Sequence, residues 1–176
     1  MRKYYIVFLL LLAIPLLSGC GNKTNSNPKQ SIRNTQFFSQ QTEISSVNFS
    51  GKKGEKVSFE NNKITLDSNI FKSKGARFYN TVLPTGKTVY FFVVKDGSGT
   101  YRAAANACQV CSDSRMGFRQ EGNYMVCNTC GNKYPLERIA TEKGGCNPAP
   151  INPDLEVKGG KVTIYQEDIG LVSNFF

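Results

Sequence analysis

The sequence predicts a mainly β domain, a small sheet, sandwich or barrel-like fold, carrying a cysteine-rich metal-binding insertion of zinc-ribbon or rubredoxin-knuckle type. Three observations carry this expectation. Short runs of β-branched and aromatic residues alternate with glycine- and asparagine-rich turns from residue 43 onward. No long amphipathic helix interrupts them. Finally, Cys108, Cys111, Cys127 and Cys130 spell C-x2-C-x15-C-x2-C in a chain that contains no histidine.

The elements follow in order. Ile44, Val47 and Phe49 open a weak strand that Gly51-Lys52-Lys53-Gly54 turns. Lys56–Glu60 and Lys63–Leu66 predict a hairpin about Asn61-Asn62, a pair that tolerates positive φ. Ala76–Leu83 is the next strand, and Pro84-Thr85-Gly86 turns it. Lys87–Lys95 contains Val89-Tyr90-Phe91-Phe92-Val93-Val94, an unbroken apolar run that predicts a central strand covered on both faces. After Asp96-Gly97-Ser98-Gly99, the strand Thr100–Ala105 sets Tyr101 among small residues that let neighbouring backbone approach. Between the two Cys-x-x-Cys hooks, Gly117–Gln120 and Tyr124–Cys127 form a short hairpin about Glu121-Gly122-Asn123. Lys133–Leu136 is a strand or turn, and Leu155–Lys158 with Lys161–Tyr165 closes the chain as a hairpin about Gly159-Gly160. Ser112–Met116 and Leu136–Thr141 have room for a helical turn or two.

The organisation before this domain is an address and a tether. Arg2 and Lys3 precede an apolar run from Tyr4 to Leu17. Fourteen residues of helix reach about 21 Å, short of a hydrocarbon core of roughly 30 Å, which favours a signal peptide over residues 1–19. Leu17-Ser18-Gly19-Cys20 resembles the bacterial lipobox, which implies a thioether-linked diacyl anchor on Cys20 and an extracytoplasmic protein on the outer face of the membrane. An ordinary secretory signal is the alternative. Residues 20–42 are polar, without apolar period, and predict a flexible linker. The remaining span, 43–176, suits a single domain with its cysteine site at 104–151.

Charge excludes little but directs attention. Cleavage after Gly19 removes Arg2 and Lys3 from 22 basic against 13 acidic side chains and lowers the net charge from +9 to +7. The lysines are scattered, without aromatic interleaving on a helical face, so they form a solvated basic surface facing anionic lipids or wall polymers and predict no nucleic-acid partner. A Ser-His-Asp arrangement is impossible without histidine, and no phosphate loop or paired carboxylates stand out, so the expectation is a carrier or binding protein more than an enzyme. The aromatic cluster Phe78, Tyr79, Tyr90, Phe91 and Phe92 is expected in the hydrophobic core in preference to a ligand pocket.

The cysteines carry the chemistry. Two Cys-x-x-Cys turns at this separation can close around one metal ion or a small iron–sulfur cluster on thiolates alone. Gly131, just after Cys130, supplies the positive φ of such a turn; Cys108-Gln109-Val110-Cys111-Ser112 lacks this glycine. Cys146, framed by Gly144-Gly145 and Asn147-Pro148, is expected in a turn as a fifth ligand or a thiol that regulates the site. Zinc in a structural ribbon, disulfides, and a redox dithiol of a thiol–disulfide oxidoreductase are the competing readings. With Cys20 used for lipidation, five cysteines remain, an odd number that cannot all pair within one chain.

The runs Ala107-Cys108-Gln109-Val110-Cys111, Arg119-Gln120-Glu121-Gly122-Asn123, Val126-Cys127-Asn128-Thr129-Cys130-Gly131 and Gly144-Gly145-Cys146-Asn147-Pro148-Ala149-Pro150-Ile151 resemble the FtrD-like membrane iron–sulfur family. Ala76-Arg77-Phe78-Tyr79 and Val89–Lys95 fit the same family, so the resemblance covers roughly residues 70–165. It implies an iron–sulfur cluster or iron, with zinc as the alternative, on Cys108, Cys111, Cys127, Cys130 and Cys146. It further implies an electron-transfer or iron-handling accessory of iron uptake, beside an iron permease and a periplasmic or extracellular metal-binding or redox partner. Where many relatives carry several membrane spans, this chain is expected to hold the membrane by its lipid alone.

Overall fold

Three small sheets stack in layers, with the most apolar strand at the centre. The computed structural model describes residues 48–73 and 75–176. The expected signal peptide, Cys20, the expected linker and the expected strand residues Ile44 and Val47 lie outside the described residues. Among the described residues, no helix is long and apolar enough to cross a membrane.

The strands are β1 (Glu55–Lys56), β2 (Lys63–Asp67), β3 (Arg77–Val82), β4 (Thr88–Lys95), β5 (Tyr101–Cys108), β6 (Phe118–Glu121), β7 (Tyr124–Cys127), β8 (Lys133–Pro135), β9 (Pro148–Asn152), β10 (Val157–Lys158) and β11 (Lys161–Tyr165). One helical turn, α1 (Gln166–Gly170), follows the last strand. The central sheet runs β1-β3-β4-β5-β9; β10-β11-β2 and β6-β7-β8 form the two smaller sheets.

Alternation along β4 explains the layering. Val89, Phe91 and Val93 point to one face, where they join Ile64 and Leu66 of β2, Val162 and Ile164 of β11, and Ile169 of α1. Phe92 and Val94 point to the other face, against Phe118 of β6, Met125 and Cys127 of β7, and Leu136 and Ile139 beyond β8. A strand buried on both faces needs apolar side chains in succession, which is why its sequence does not alternate. Phe91, Phe92, Val93 and Val94 are completely inaccessible to solvent. Tyr90 lies flat against Phe49, ring centroids 4.1 Å apart, and Phe176 meets both rings at a steep angle.

Strand β5 distributes its residues by the same period of two. Ala103, Ala105 and Ala107 enter the first core and Ala104 and Cys108 the second. The alanines bring β9 close on the outer side, and β9 can carry Pro148 and Pro150 because it is an edge strand that owes only one ladder of hydrogen bonds. Its pairing with β5 is irregular between Ala103 and Cys108, which bends the strand end where the cysteine stands.

The turn at residues 96–99 is organised by a buried carboxylate. Asp96 Oδ1 accepts from the Ser98 N–H, the Ser98 hydroxyl and the Thr100 N–H, while Oδ2 accepts from Arg102 Nε at 2.8 Å. One expected hairpin shrinks. Asn61 and Asn62 do adopt positive φ, and Glu60 and Lys63 exchange both backbone bonds. Beyond that pair the chain leaves β2, because Glu55 and Lys56 pair in parallel with Tyr79 and Asn80, and Val57 donates to Asn80 O.

Candidate metal centre

Five cysteines from three loops meet at one end of the layer between the central sheet and β6-β7-β8. Cys108 is the last residue of β5 and Cys127 the last of β7, both buried. Cys111 and Cys146 are half-buried, and Cys130 is exposed. All five are free thiols. The sulfurs of Cys108, Cys111 and Cys146 lie within 4.8 Å of one another, as do those of Cys111, Cys127 and Cys130.

Each loop has a local reason for its shape. At the second hook, the Gly131 N–H donates to Cys127 O at 2.9 Å with φ at +75°, as the glycine after the hook led one to expect. Backbone N–H groups face the sulfurs there: those of Cys130 and Thr129 reach Cys127, and that of Asn132 reaches Cys130. The first hook does without glycine. Cys111 N–H points at Cys108 Sγ at 3.4 Å, and the chain then enters a 3-10 turn over Ser112–Ser114, where Ser114 donates both its N–H and its hydroxyl to Cys111 O. The third loop turns on consecutive positive φ at Gly144 (+84°) and Gly145 (+64°), which presents Cys146 towards the other thiols.

Hydrogen bonds between the loops fix their relative positions. Gln109 N–H donates to Asn147 O at 3.0 Å, and Gly144 N–H donates to Gln109 Oε1 at 3.0 Å, so the third loop is clasped to the first hook. Ser114 and Thr129 share a hydroxyl–hydroxyl bond that joins the first hook to the second. Asn106, two residues before Cys108, is fully buried; its Oδ1 accepts from Phe118 N–H at 2.7 Å and its Nδ2 donates to Lys52 O at 2.9 Å. It splices the central sheet to the cysteine sheet. The side-chain roles of Asn106, Gln109 and Ser114 escape the sequence reading, because single polar residues beside a hook look like ordinary turn residues.

The electrostatics separate the thiols. The Asn132 N–H holds the Cys130 thiol below the ordinary cysteine value, assisted by the neighbouring thiols. Burial pushes the Cys127 thiol up against the opposing N–H groups of Cys130 and Thr129. The Cys111 thiol is raised by its hydrogen bond with Cys108, by burial, and by the charges of Cys108, Cys130 and Cys127. Crowded thiols that resist joint ionisation become thiolates readily once a cation stands among them.

The residues fit an iron–sulfur centre or another thiophilic metal. The donors are all sulfur, and two buried polar atoms beside them have no protein partner: Gln109 Nε2 and the Tyr134 hydroxyl. Burial pushes the Tyr134 phenol up to about 12, and the charges of Cys130, Cys108 and Cys146 push the same way. The Asn132 amide stands close without reaching hydrogen-bond geometry. A buried donor left unpaired costs about 1–3 kcal/mol, and a negatively charged thiolate centre offers such donors an acceptor. On the side of the first hook, Phe49, Phe175 and Phe176 pack the seam beside Cys108, Cys111 and Arg115 shut. Arg115 Nη1 donates to Phe175 O there at 2.6 Å.

No curated protein and no solved structure matches the chain. A family model described as membrane iron–sulfur containing protein FtrD-like matches residues 71–176, which takes in strands β3 to β11 and the five clustered thiols. The chain therefore belongs to the FtrD-like family of membrane iron–sulfur proteins.

Proposed function

We propose that this protein is an extracytoplasmic, lipid-anchored electron-transfer or iron-handling accessory of an iron-uptake system. Cys108, Cys111, Cys127, Cys130 and Cys146 hold its iron–sulfur centre. The observation that carries the reading is the convergence of five free thiols from three loops, two buried, two half-buried and one, Cys130, exposed. When bound, an iron–sulfur centre supplies one-electron redox chemistry.

The chain's own residues do the rest. Cys108 and Cys127, at the ends of strands in two different sheets, hold the site rigid while an electron passes. The N–H groups of Cys111, Thr129, Cys130 and Asn132 offset negative charge on sulfur. Cys130 forms the solvent-facing edge through which a partner exchanges electrons, and the exposed Val110 of the first hook offers apolar contact surface. Cys20 anchors the chain by its lipid, and residues 20–42 let the domain reach a membrane-embedded iron permease or a metal-binding partner near it.

The test is anaerobic purification of the full chain, with iron and acid-labile sulfide assayed and the visible spectrum followed through reduction and reoxidation. Iron, sulfide and a spectrum that bleaches reversibly are expected. A colourless protein holding one tight zinc overturns the redox reading and leaves a structural ribbon. Independently, Cys20→Ala is expected to move the protein from the membrane to the soluble fraction; unchanged membrane retention sinks the lipid anchor.

A further inference from the structure

The sulfurs that lie within 4.8 Å of one another come in threes, not fours. A single tetrahedral ion with metal–sulfur bonds of about 2.3 Å places its four sulfurs about 3.8 Å apart in every pairing, which demands four mutual neighbours. Here the sets whose sulfurs all lie within 4.8 Å of one another are two triads, Cys108–Cys111–Cys146 and Cys111–Cys127–Cys130, that meet at Cys111, with Cys130 and Cys146 also neighbours across them. Three sulfurs around one ion at the same bond length stand about 4.0 Å apart, and the sulfurs of each triad lie no more than 4.8 Å from one another.

The hydrogen bonding supports the same division. Cys146 belongs with the first hook because Gln109 grips its loop from both backbone and side chain. Cys111 is pinned between the hooks, its carbonyl held by Ser114 and Ser114 in turn bonded to Thr129 of the second hook. Charge points the same way. Two divalent ions offset four of the five thiolate charges, whereas one ion offsets two and leaves the fifth cysteine with no task.

We propose that the thiols build a two-ion centre, one thiophilic metal ion in each triad, with the Cys111 thiolate bridging them. It rests on the reading of these cysteines as a metal centre, though not on electron transfer. Each ion displaces the protons of its thiols to solvent, and a fourth position on each ion stays open to sulfide, a second bridging atom or an exchanging ligand. The absence of imidazole and carboxylate among the donors restricts the ions to those that favour sulfur.

The probe is cobalt(II), titrated anaerobically into the reduced full chain while the thiolate-to-cobalt charge-transfer absorption is followed. The expected break is at two ions per chain. Iodoacetamide then leaves Cys108, Cys111, Cys127, Cys130 and Cys146 of the loaded chain unmodified by mass spectrometry, a readout that needs no variant. Cys146→Ala and Cys130→Ala, each sparing one triad, are expected to break at one ion, and Cys111→Ala to weaken the binding of both at least tenfold. Circular dichroism of each variant checks that it folds. A break at any other stoichiometry in the wild-type chain, alkylation of Cys146 in the loaded state, or two ions retained by Cys146→Ala overturns the proposal. A chain that binds two cobalt ions in this way but shows no redox-active iron keeps the two-ion centre and loses the electron-transfer function. One that cycles electrons on a site that takes a single cobalt ion does the reverse.

Discussion

Asn106 is the residue on which the cysteine sheet hangs, and Asn106→Ala measures how much. The substitution removes two bonds at once, the acceptor of Phe118 N–H at 2.7 Å and the donor to Lys52 O at 2.9 Å. Phe118 is fully buried, so its N–H has no water to turn to, and its loss belongs near the top of the roughly 1–3 kcal/mol range for an orphaned buried group. Lys52 is exposed, so solvent recovers most of the second bond. The sum is about 3 kcal/mol, a large share of the stability of a domain this size. Urea unfolding of the reduced, metal-free chain by circular dichroism reads it directly, with an unchanged dependence on urea and a lowered midpoint. The same splice sets the spacing between Cys108 and the β6-β7 hairpin that ends in Cys127. Cobalt affinity is therefore expected to fall at least tenfold, about 1.4 kcal/mol, on top of the stability loss. A stability loss below about 1 kcal/mol refutes the splice. An intact affinity refutes its role in positioning the thiols.

Three further outcomes follow from the core and the site. Phe92→Ala is expected to cost about 4 kcal/mol in chemical unfolding, because Phe92 packs between Phe78 and Phe118 with no solvent exposure. Burial alone would raise the Asp96 carboxyl, yet its bonds to Ser98, Arg102 and Thr100 prevail and hold it below the ordinary range. Its stabilisation is therefore full above the unfolded pKa of about 4 and is lost as pH falls through the lower folded value. Asp96→Asn is expected to lose about 2 kcal/mol near neutral pH and to narrow its deficit in that acid window, read from melts across pH. Tyr134→Phe removes a buried hydroxyl without a protein partner, so the metal-free chain is expected to be as stable or slightly more so. If the hydroxyl donates to the loaded centre, the variant's reduction potential falls, because a hydrogen bond to sulfur favours the more negative, reduced state; an unchanged potential excludes that contact.

Legibility from sequence followed the range over which each signal acts. The central strand was legible because covering both faces forces an unbroken apolar run, and Phe91 through Val94 are all buried. The 118–127 hairpin and the 155–165 hairpin were legible because glycine and asparagine mark their turns. Strand β9 was not, since Pro148 and Pro150 argue against a strand until one knows that it lies at a sheet edge beside a run of alanines. The hairpin at Asn61-Asn62 was half legible: local chemistry set the turn, but a parallel partner 24 residues further on, Tyr79 against Glu55, took the strand away. The site divides in the same manner. Five cysteines could be named as candidates from spacing and glycine frames alone, and the structure brings them to one place. Their partition into two triads depends on Gln109 reaching the Cys146 loop 35 residues away and on Ser114 meeting Thr129. No spacing rule contains those contacts, because they arise only when the ends of β5 and β7, strands of different sheets, are laid side by side. The pairing of sheets thus decides which sulfurs are neighbours, and the sequence motif decides only that sulfurs are there to be paired.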